Sequence, residues 1–268
     1  MSPEPSFFPT RGAYLAGDVR RVEHIMGMPI TLALRGVHRE SAHEAFGWLR
    51  WVDDTFSTYK RDSEISRLAR GEVNPRHLHP LVREVLDRCA ELAVPTRGYF
   101  DVHASGRLDP SGYVKGWAVQ RASDLLLERG ASDHCVNAGG DIRARGRTAA
   151  GRPWRIGIQD PWVPDEVRWV VSGTDLAVAT SGTYARGDHV IDPHTGRPAT
   201  ELCSVTLTGP DLATADAYAT AALAMGAGAR DWLTSLDGYD AALIDVRGGC
   251  WSSPGWHCDD GTGGTNHG

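Results

Sequence analysis

Cysteine is scarce: 268 residues hold five, at 89, 135, 203, 250 and 258, an odd number with wide spacing and no Cys-x-x-Cys. That distribution gives neither a disulfide framework nor a zinc knuckle, and it suits a reducing compartment. No stretch approaches the roughly 18 consecutive apolar residues of a membrane span, so no membrane insertion is expected. The N-terminal Met-Ser-Pro-Glu-Pro-Ser-Phe-Phe-Pro lacks both a basic start and an apolar run of secretory length, and cytoplasmic residence is the expectation. Basic runs are also missing. With a net charge of -6 there is no patch to neutralise a nucleic-acid backbone, and an anionic ligand would need local help such as a metal. Thr180-Ser-Gly lacks the Gly-x-Ser-x-Gly elbow of a nucleophilic serine and reads as a turn. There is no long linker and no repeat, so one mixed α/β unit is expected.

What is present is ordinary globular material, 41% hydrophobic and 23% charged, organised around residues 109–143. Asp109-Pro-Ser-Gly opens a helical pattern (Val114, Trp117, Ala118, Arg121, Ala122, Leu125) that stops at Gly130. A strand from His134 then runs into Gly139-Gly140-Asp141. Lys115 is placed at the loop-to-helix junction. Helix-start donors, an ammonium and a Gly-Gly turn together predict a phosphate cradle.

Elsewhere, residues 1–20 read as irregular and 261–268 as a disordered tail, leaving 21–260 as the folded unit. Arg21 to Leu34 reads as two strands separated by a Gly27-Met-Pro29 break, and 38–60 as an amphipathic helix burying Ala42, Ala45, Phe46, Leu49, Val52 and Phe56. Ser63 caps a short helix, and 80–93 forms another. Strands at 154–158, 168–172 and 176–180 predict a meander. A turn at 192–197, a strand at 204–208, an Ala-rich helix at 214–225 ended by Gly226, a short helix at 232–236 and a strand at 240–246 complete the pattern.

Asp216 and Thr220, four apart, stack a carboxylate and a hydroxyl on one helix face, hard oxygens of the kind Mg²⁺ prefers. The structural alternative makes Asp216 a helix cap and Thr220 a solvated hydroxyl. His189, Asp192 and His194 read either as a metal site, as a general base oriented by Asp192, or as turn chemistry. Gly226-Ala-Gly-Ala follows a helix and is no dinucleotide fingerprint. Cys250 to Cys258 reads as an irregular loop, its spacing matching no zinc pattern.

Taken in order, Met26-Gly27, Phe56-Ser-Thr-Tyr-Lys60 through Leu68, Gly98-Tyr-Phe-Asp101, Val114-Lys-Gly-Trp-Ala118, Val136-Asn-Ala-Gly-Gly-Asp141, Ala179-Thr-Ser-Gly-Thr-Tyr184, His189-Val-Ile-Asp-Pro-His-Thr-Gly-Arg-Pro198 and Ala213-Thr-Ala-Asp-Ala-Tyr-Ala-Thr220 resemble the successive motifs of the ApbE family, the FAD:protein FMN transferases. The resemblance implies an α+β fold, a mixed α/β arrangement with a mostly antiparallel sheet and packed helices. It implies an Mg²⁺-dependent enzyme that cleaves FAD and attaches FMN by a phosphoester to a Thr or Ser of an acceptor protein, releasing AMP. FAD hydrolysis to FMN and AMP, and non-catalytic FAD binding, are the alternative readings. By motif, the metal ligands would be Asp216, Thr220 and the Gly112 carbonyl. FAD would be held by Met26, Gly27, Ser57, Thr58, Tyr59, Lys115, Gly139, Gly140, Asp141, Thr180, Ser181, Gly182, His189 and Thr195, with His189 and Asp216 the catalytic pair and His189 the base. His194 stands where many members carry Arg or Lys, and the 101–115 segment is shorter than in many.

Overall fold

A computed structural model of the chain describes residues 18–36, 38–163, 166–183 and 190–258; His189 lies outside them. Met26 and Gly27 both adopt positive φ (55° and 74°), the two-residue turn geometry that matches strand twist. They join β1 (Val19–Ile25) to β2 (Met28–Leu34), paired from Val19↔Leu34 to Ile25↔Met28. Val19 and Arg20, expected to be irregular, therefore already belong to the sheet. After β3 (His134–Ala138), the Gly139-Gly140 turn reverses the chain into β4 (Asp141–Arg145). The remaining strands are β5 (Trp154–Gln159), β6 (Val167–Gly173), β7 (Asp175–Gly182), the short β8 (Ile191–Asp192) and β9 (Arg197–Pro198), β10 (Leu202–Gly209), β11 (Asp240–Asp245) and β12 (Cys250–Ser252). Eight of them form one antiparallel sheet in the order β1-β2-β3-β4-β7-β10-β11-β12.

The expected meander is only half present. β5 and β6 pair as a separate hairpin, while β7 leaves them to pair with β4 and β10. The reason is burial on both faces of the central strands. Ile156, Ile158 and Val171 of the hairpin cover Cys135, Ile142, Ala144 and Val178 on one sheet face, whereas Ala177 and Ala179 of β7 face the helices. A strand sandwiched in this way takes the centre of a sheet, not the end of a hairpin.

Helices cover the other face. In α1 (Arg39–Phe56) the six predicted positions are the buried ones. Ser63 caps α2 (Glu64–Ala69), its side chain accepting from Ser66 N at 3.0 Å, and α3 (Pro80–Leu92) begins on a proline, whose missing N–H costs nothing there. α4 spans Ser111–Glu128, α5 Leu212–Met225 and α6 Ala229–Thr234. α5 is buried almost all round because alanine dominates it, and so α4, β7 and β10 can all press against it.

A buried imidazole joins α4 to β3. His134 is 0% exposed; its Nδ1–H donates to Ala131 O at 2.6 Å and its Nε2 accepts from the Ser123 hydroxyl at 2.6 Å. Burial, aided by Arg145 and Arg143, lowers its pKa from 6.5 to about 4. The unfolded chain therefore takes up a proton that the fold refuses, so stability is full above pH 6.5 and falls as pH drops toward 4. Between pH 7 and 5 the loss is about 2 kcal/mol, or roughly 4–8 °C in Tm. Thermal melts of wild type and His134→Gln across this range should show the gap between them narrowing by that amount on acidification; a constant gap would refute the assignment.

Candidate active site

The end of the sheet that carries the β1–β2 and β3–β4 turns also receives the C-terminal end of β7 and the first half of α4. Antiparallel register makes this so: Ile30 pairs with Ala138, Ala138 with Asp141, and Ile142 with Val178. Above it, α4 and α5 meet at Gly116, where a Cβ would stand 2.5 Å from Leu212 O and 2.7 Å from Asp216 Cβ. Only glycine allows this approach. It lets Gly116 N donate to Asp216 Oδ2 at 2.8 Å across a hundred residues of chain.

Two carboxylates and one ammonium share the space beneath. Lys115 Nζ lies 2.7 Å from Asp141 Oδ2 and 3.7 Å from Asp216 Oδ1. The closer contact is an ion pair without hydrogen-bond alignment, and Asp141 Oδ1 accepts from Thr180 N at 3.2 Å. Both side chains are at most 2% exposed. Burial and then the neighbouring Asp141 push the Asp216 carboxyl well above the usual carboxylate range, against the pull of Lys115 and the Gly116 N–H. With both acids ionised a single lysine leaves this buried group one negative charge in excess, which protonation of Asp216 or a second cation would remove.

The surrounding donors fit Mg²⁺. Thr220 lies one turn beyond Asp216, with Ser181 Oγ 3.3 Å from its hydroxyl, and a Cβ on Gly112 would reach 3.0 Å from Thr220 Oγ1, so only a glycine backbone comes so near. All of these are hard oxygens, the ligand type Mg²⁺ takes alongside water and phosphate. Among the described residues no trio of His, Cys, Asp and Glu groups as a metal site. The cap of α5 is Asp211, accepting from Thr214 N at 2.8 Å, so the reading of Asp216 as the cap fails.

Other predicted residues take varied positions. Lys115 sits in the second turn of α4, not at its junction, because Pro110 occupies the N-cap and the Asp109 side chain accepts from Ser111 N. Gly139 and Gly140 have φ of 59° and 100°; a Cβ on Gly139 would strike Met28 Sδ at 2.8 Å, and Gly140 N donates to the Asn137 side chain. That N–H is therefore engaged within the turn. Thr180 Oγ1 shares a hydrogen bond with Thr206 at 2.9 Å, and Gly182 ends β7. Ser57 follows α1 and is held by its own carbonyl, which accepts from Ser63 and Ser66, while Thr58 and Tyr59 continue the loop and Tyr59 stands 89% exposed. Phe56 packs on Trp117, linking that loop to α4. Thr195 donates to Asp192 inside the 192–197 turn, and His194 docks the turn by donating to Arg97 O and stacking edge-on with Tyr99. Two surface clefts, of about 520 and 400 Å³, lie against Glu64, His77 and His79 and against Glu23, Asp53 and Lys60, and neither is lined by the Lys115 cluster.

Two supporting features escaped the sequence reading. Gly116 was one residue in a helical pattern; its signal was a glycine inside a helix, a costly choice that asks for a packing reason. Gln120 Oε1 accepts from both Arg143 Nε and Leu212 N at 3.1 Å, tying α4, β4 and the start of α5 together. Nothing local to Gln120 announces that role.

An antiparallel sheet under a glycine-spaced helix pair thus carries a buried ion-pair cluster with hydroxyl oxygens beside it. The model of the ApbE family matches residues 26–106 and 103–243, and the chain belongs to that family. It is similar to FAD:protein FMN transferases of Vibrio cholerae, 39% identical over 129 residues (44% of this chain, 39% of the relative), and of Escherichia coli K12, 32% over 160 residues (55% and 46%). The match thus spans less than half the length of these relatives. Among solved structures, the ApbE protein of Thermotoga maritima superposes with a TM-score of 0.80 at 22% identity (88% of this chain, 97% of that one). The flavin transferase ApbE of Vibrio cholerae superposes with a TM-score of 0.78 at 24% (91% and 97%). These likenesses carry the fold.

Proposed function

We propose that this chain is an Mg²⁺-dependent FAD:protein FMN transferase. The observation that carries the reading is the buried Lys115–Asp141–Asp216 cluster beside Thr220, Ser181 and Gly112, a place for one divalent cation and the phosphates it would bring. In the reaction the hydroxyl oxygen of an acceptor Thr or Ser forms a bond to the FMN phosphorus of FAD. The bridging P–O bond breaks, AMP leaves with the bridging oxygen, and the hydroxyl proton passes to a base, for which we propose His189. When bound, Mg²⁺ neutralises charge on the leaving phosphate. Asp216 and Thr220 would hold it with the Gly112 carbonyl, and the turns at Met26-Gly27 and Gly139-Gly140, the Ser57-Thr58-Tyr59 loop, Thr180 to Gly182 and Thr195 would supply the walls for FAD. We propose residence in the cytoplasm, with which five free thiols are compatible; no described helix is long and apolar enough to cross a membrane.

The test is to incubate the protein with FAD and Mg²⁺, with and without an acceptor bearing a Thr or Ser site. Covalent flavin on the acceptor, equimolar AMP and loss of both in EDTA are expected. FMN release without an acceptor at the same rate would replace transfer by hydrolysis, and no turnover under either condition would leave a binding protein.

A further inference from the structure

We propose that Lys115 is the resident cation of this site, balancing the buried Asp141–Asp216 pair until a divalent ion reaches Asp216 and thereby setting how tightly that ion is held. The inference rests on the metal reading above and deepens it. Its basis is geometry. The Lys115 side chain is 18% exposed, so it is drawn into the cluster instead of extending into water, and it faces two carboxylates that are themselves buried. Its two contacts are unequal, 2.7 Å to Asp141 and 3.7 Å to Asp216. The tighter partner is Asp141, whose other oxygen accepts from Thr180 N, and the looser is Asp216, whose other oxygen accepts from Gly116 N and which is the acid proposed for metal. Lys115 can therefore keep Asp141 while yielding Asp216.

Two cations that draw on one carboxylate oppose each other, and the coupling is reciprocal: what Lys115 contributes to the metal-free fold through Asp216, it subtracts from metal affinity. Charges about 4 Å apart and shielded from bulk water interact strongly enough for this to be measured. A lysine serving only as a phosphate ligand would leave Mg²⁺ affinity unchanged in the absence of nucleotide.

The experiment titrates the full chain with Mg²⁺ alone at pH 8, by calorimetry and thermal melts, for wild type, Lys115→Met and Lys115→Arg. Lys115→Met should melt lower without metal, bind Mg²⁺ about tenfold tighter or better, and gain more in Tm from Mg²⁺ than wild type does; Lys115→Arg should resemble wild type. A Lys115→Met protein that melts normally without metal, or binds Mg²⁺ no tighter than wild type, overturns the proposal. If Lys115→Met does not fold, the double variant Lys115→Met/Asp141→Asn removes a carboxylate along with the lysine. It should fold and bind Mg²⁺ within a few-fold of wild type, and a loss beyond about tenfold overturns the proposal. Normal Mg²⁺-dependent transfer by wild type alongside an unresponsive Lys115→Met would remove this inference alone. Transfer that persists in EDTA, with no Mg²⁺ binding by any variant, would remove the metal reading and the inference with it.

Discussion

Asp216→Asn is expected to lower flavin transfer by about 10³-fold or more while the protein melts at or above the wild-type temperature. The first half follows from charge. Asp216 is the only acidic side chain among the proposed metal ligands, and several kcal/mol of transition-state stabilisation would depend on a metal that a neutral amide holds poorly. The second half follows from burial. The carboxyl sits beside Asp141, and its pKa is raised because the folded protein disfavours its ionised form. A raised carboxylate pKa means that ionisation costs stability once pH exceeds the unfolded value, so an uncharged isostere removes that cost at neutral pH. The asparagine oxygen can still accept from Gly116 N, and its amide can donate toward Asp141. Asp216→Ala would lack both compensations, leaving the Gly116 N–H unpaired. Rates of covalent flavin formation as Mg²⁺ is varied, read beside melting curves, test the two halves separately. Asp216→Asn with Mg²⁺-dependent transfer within tenfold of wild type would remove Asp216 from the site, and a fall in its Tm would show that the charge is structural.

How much of this was legible depends on the range of the interaction. The face of α1, the Ser63 cap and the Gly226 stop are encoded within a few residues and stand where periodicity and turn chemistry put them; the break expected at Gly27-Met28-Pro29 falls earlier, at Met26-Gly27, and Pro29 lies within β2. β4 was less readable because its arginines imitate a solvent-facing strand. Arg143 is nonetheless 3% exposed, and it is held by Gln120 and by Asp175 from other elements. β12 was hidden in the segment read as a loop, since Cys250-Trp-Ser252 has too few residues to show alternation and pairs only because β11 offers an open edge. The site divides in the same way. The four-residue step from Asp216 to Thr220 is a local fact. The pairing of Lys115 with Asp141 and Asp216 comes from a register that joins three separate elements, and neither the placement of Lys115 at a helix start nor its expected phosphate role anticipated it.

Gly116→Val is expected to prevent folding, and Gly116→Ala to lower stability by about 1–3 kcal/mol, roughly 2–12 °C in Tm. In an exposed helix the alanine would help, since glycine costs about 1 kcal/mol there. At Gly116 the new Cβ meets Leu212 O at 2.5 Å, Asp216 Cβ at 2.7 Å and Ala213 Cα at 3.1 Å. Two of these belong to backbone, and none is the end of a flexible side chain. α5 must therefore move away from α4, and its buried neighbours β7 and β10 leave it little room. Gly47, in α1, supplies the control. A Cβ there meets nothing nearer than the Arg50 guanidinium at 3.9 Å, so Gly47→Ala should stabilise by about 0.5–1 kcal/mol. The functional consequence exceeds the thermodynamic one: a shift of α5 draws Asp216 from Gly116 N and Thr220 from Gly112 together, and a displacement near 1 Å can cost about 10²-fold in rate. Gly116→Ala should accordingly lose transfer activity at temperatures where it remains fully folded, and raised Mg²⁺ should recover only part of it. Wild-type stability and turnover in Gly116→Ala, with Gly47→Ala behaving as stated, would show that the α4–α5 contact is not what holds the site in place.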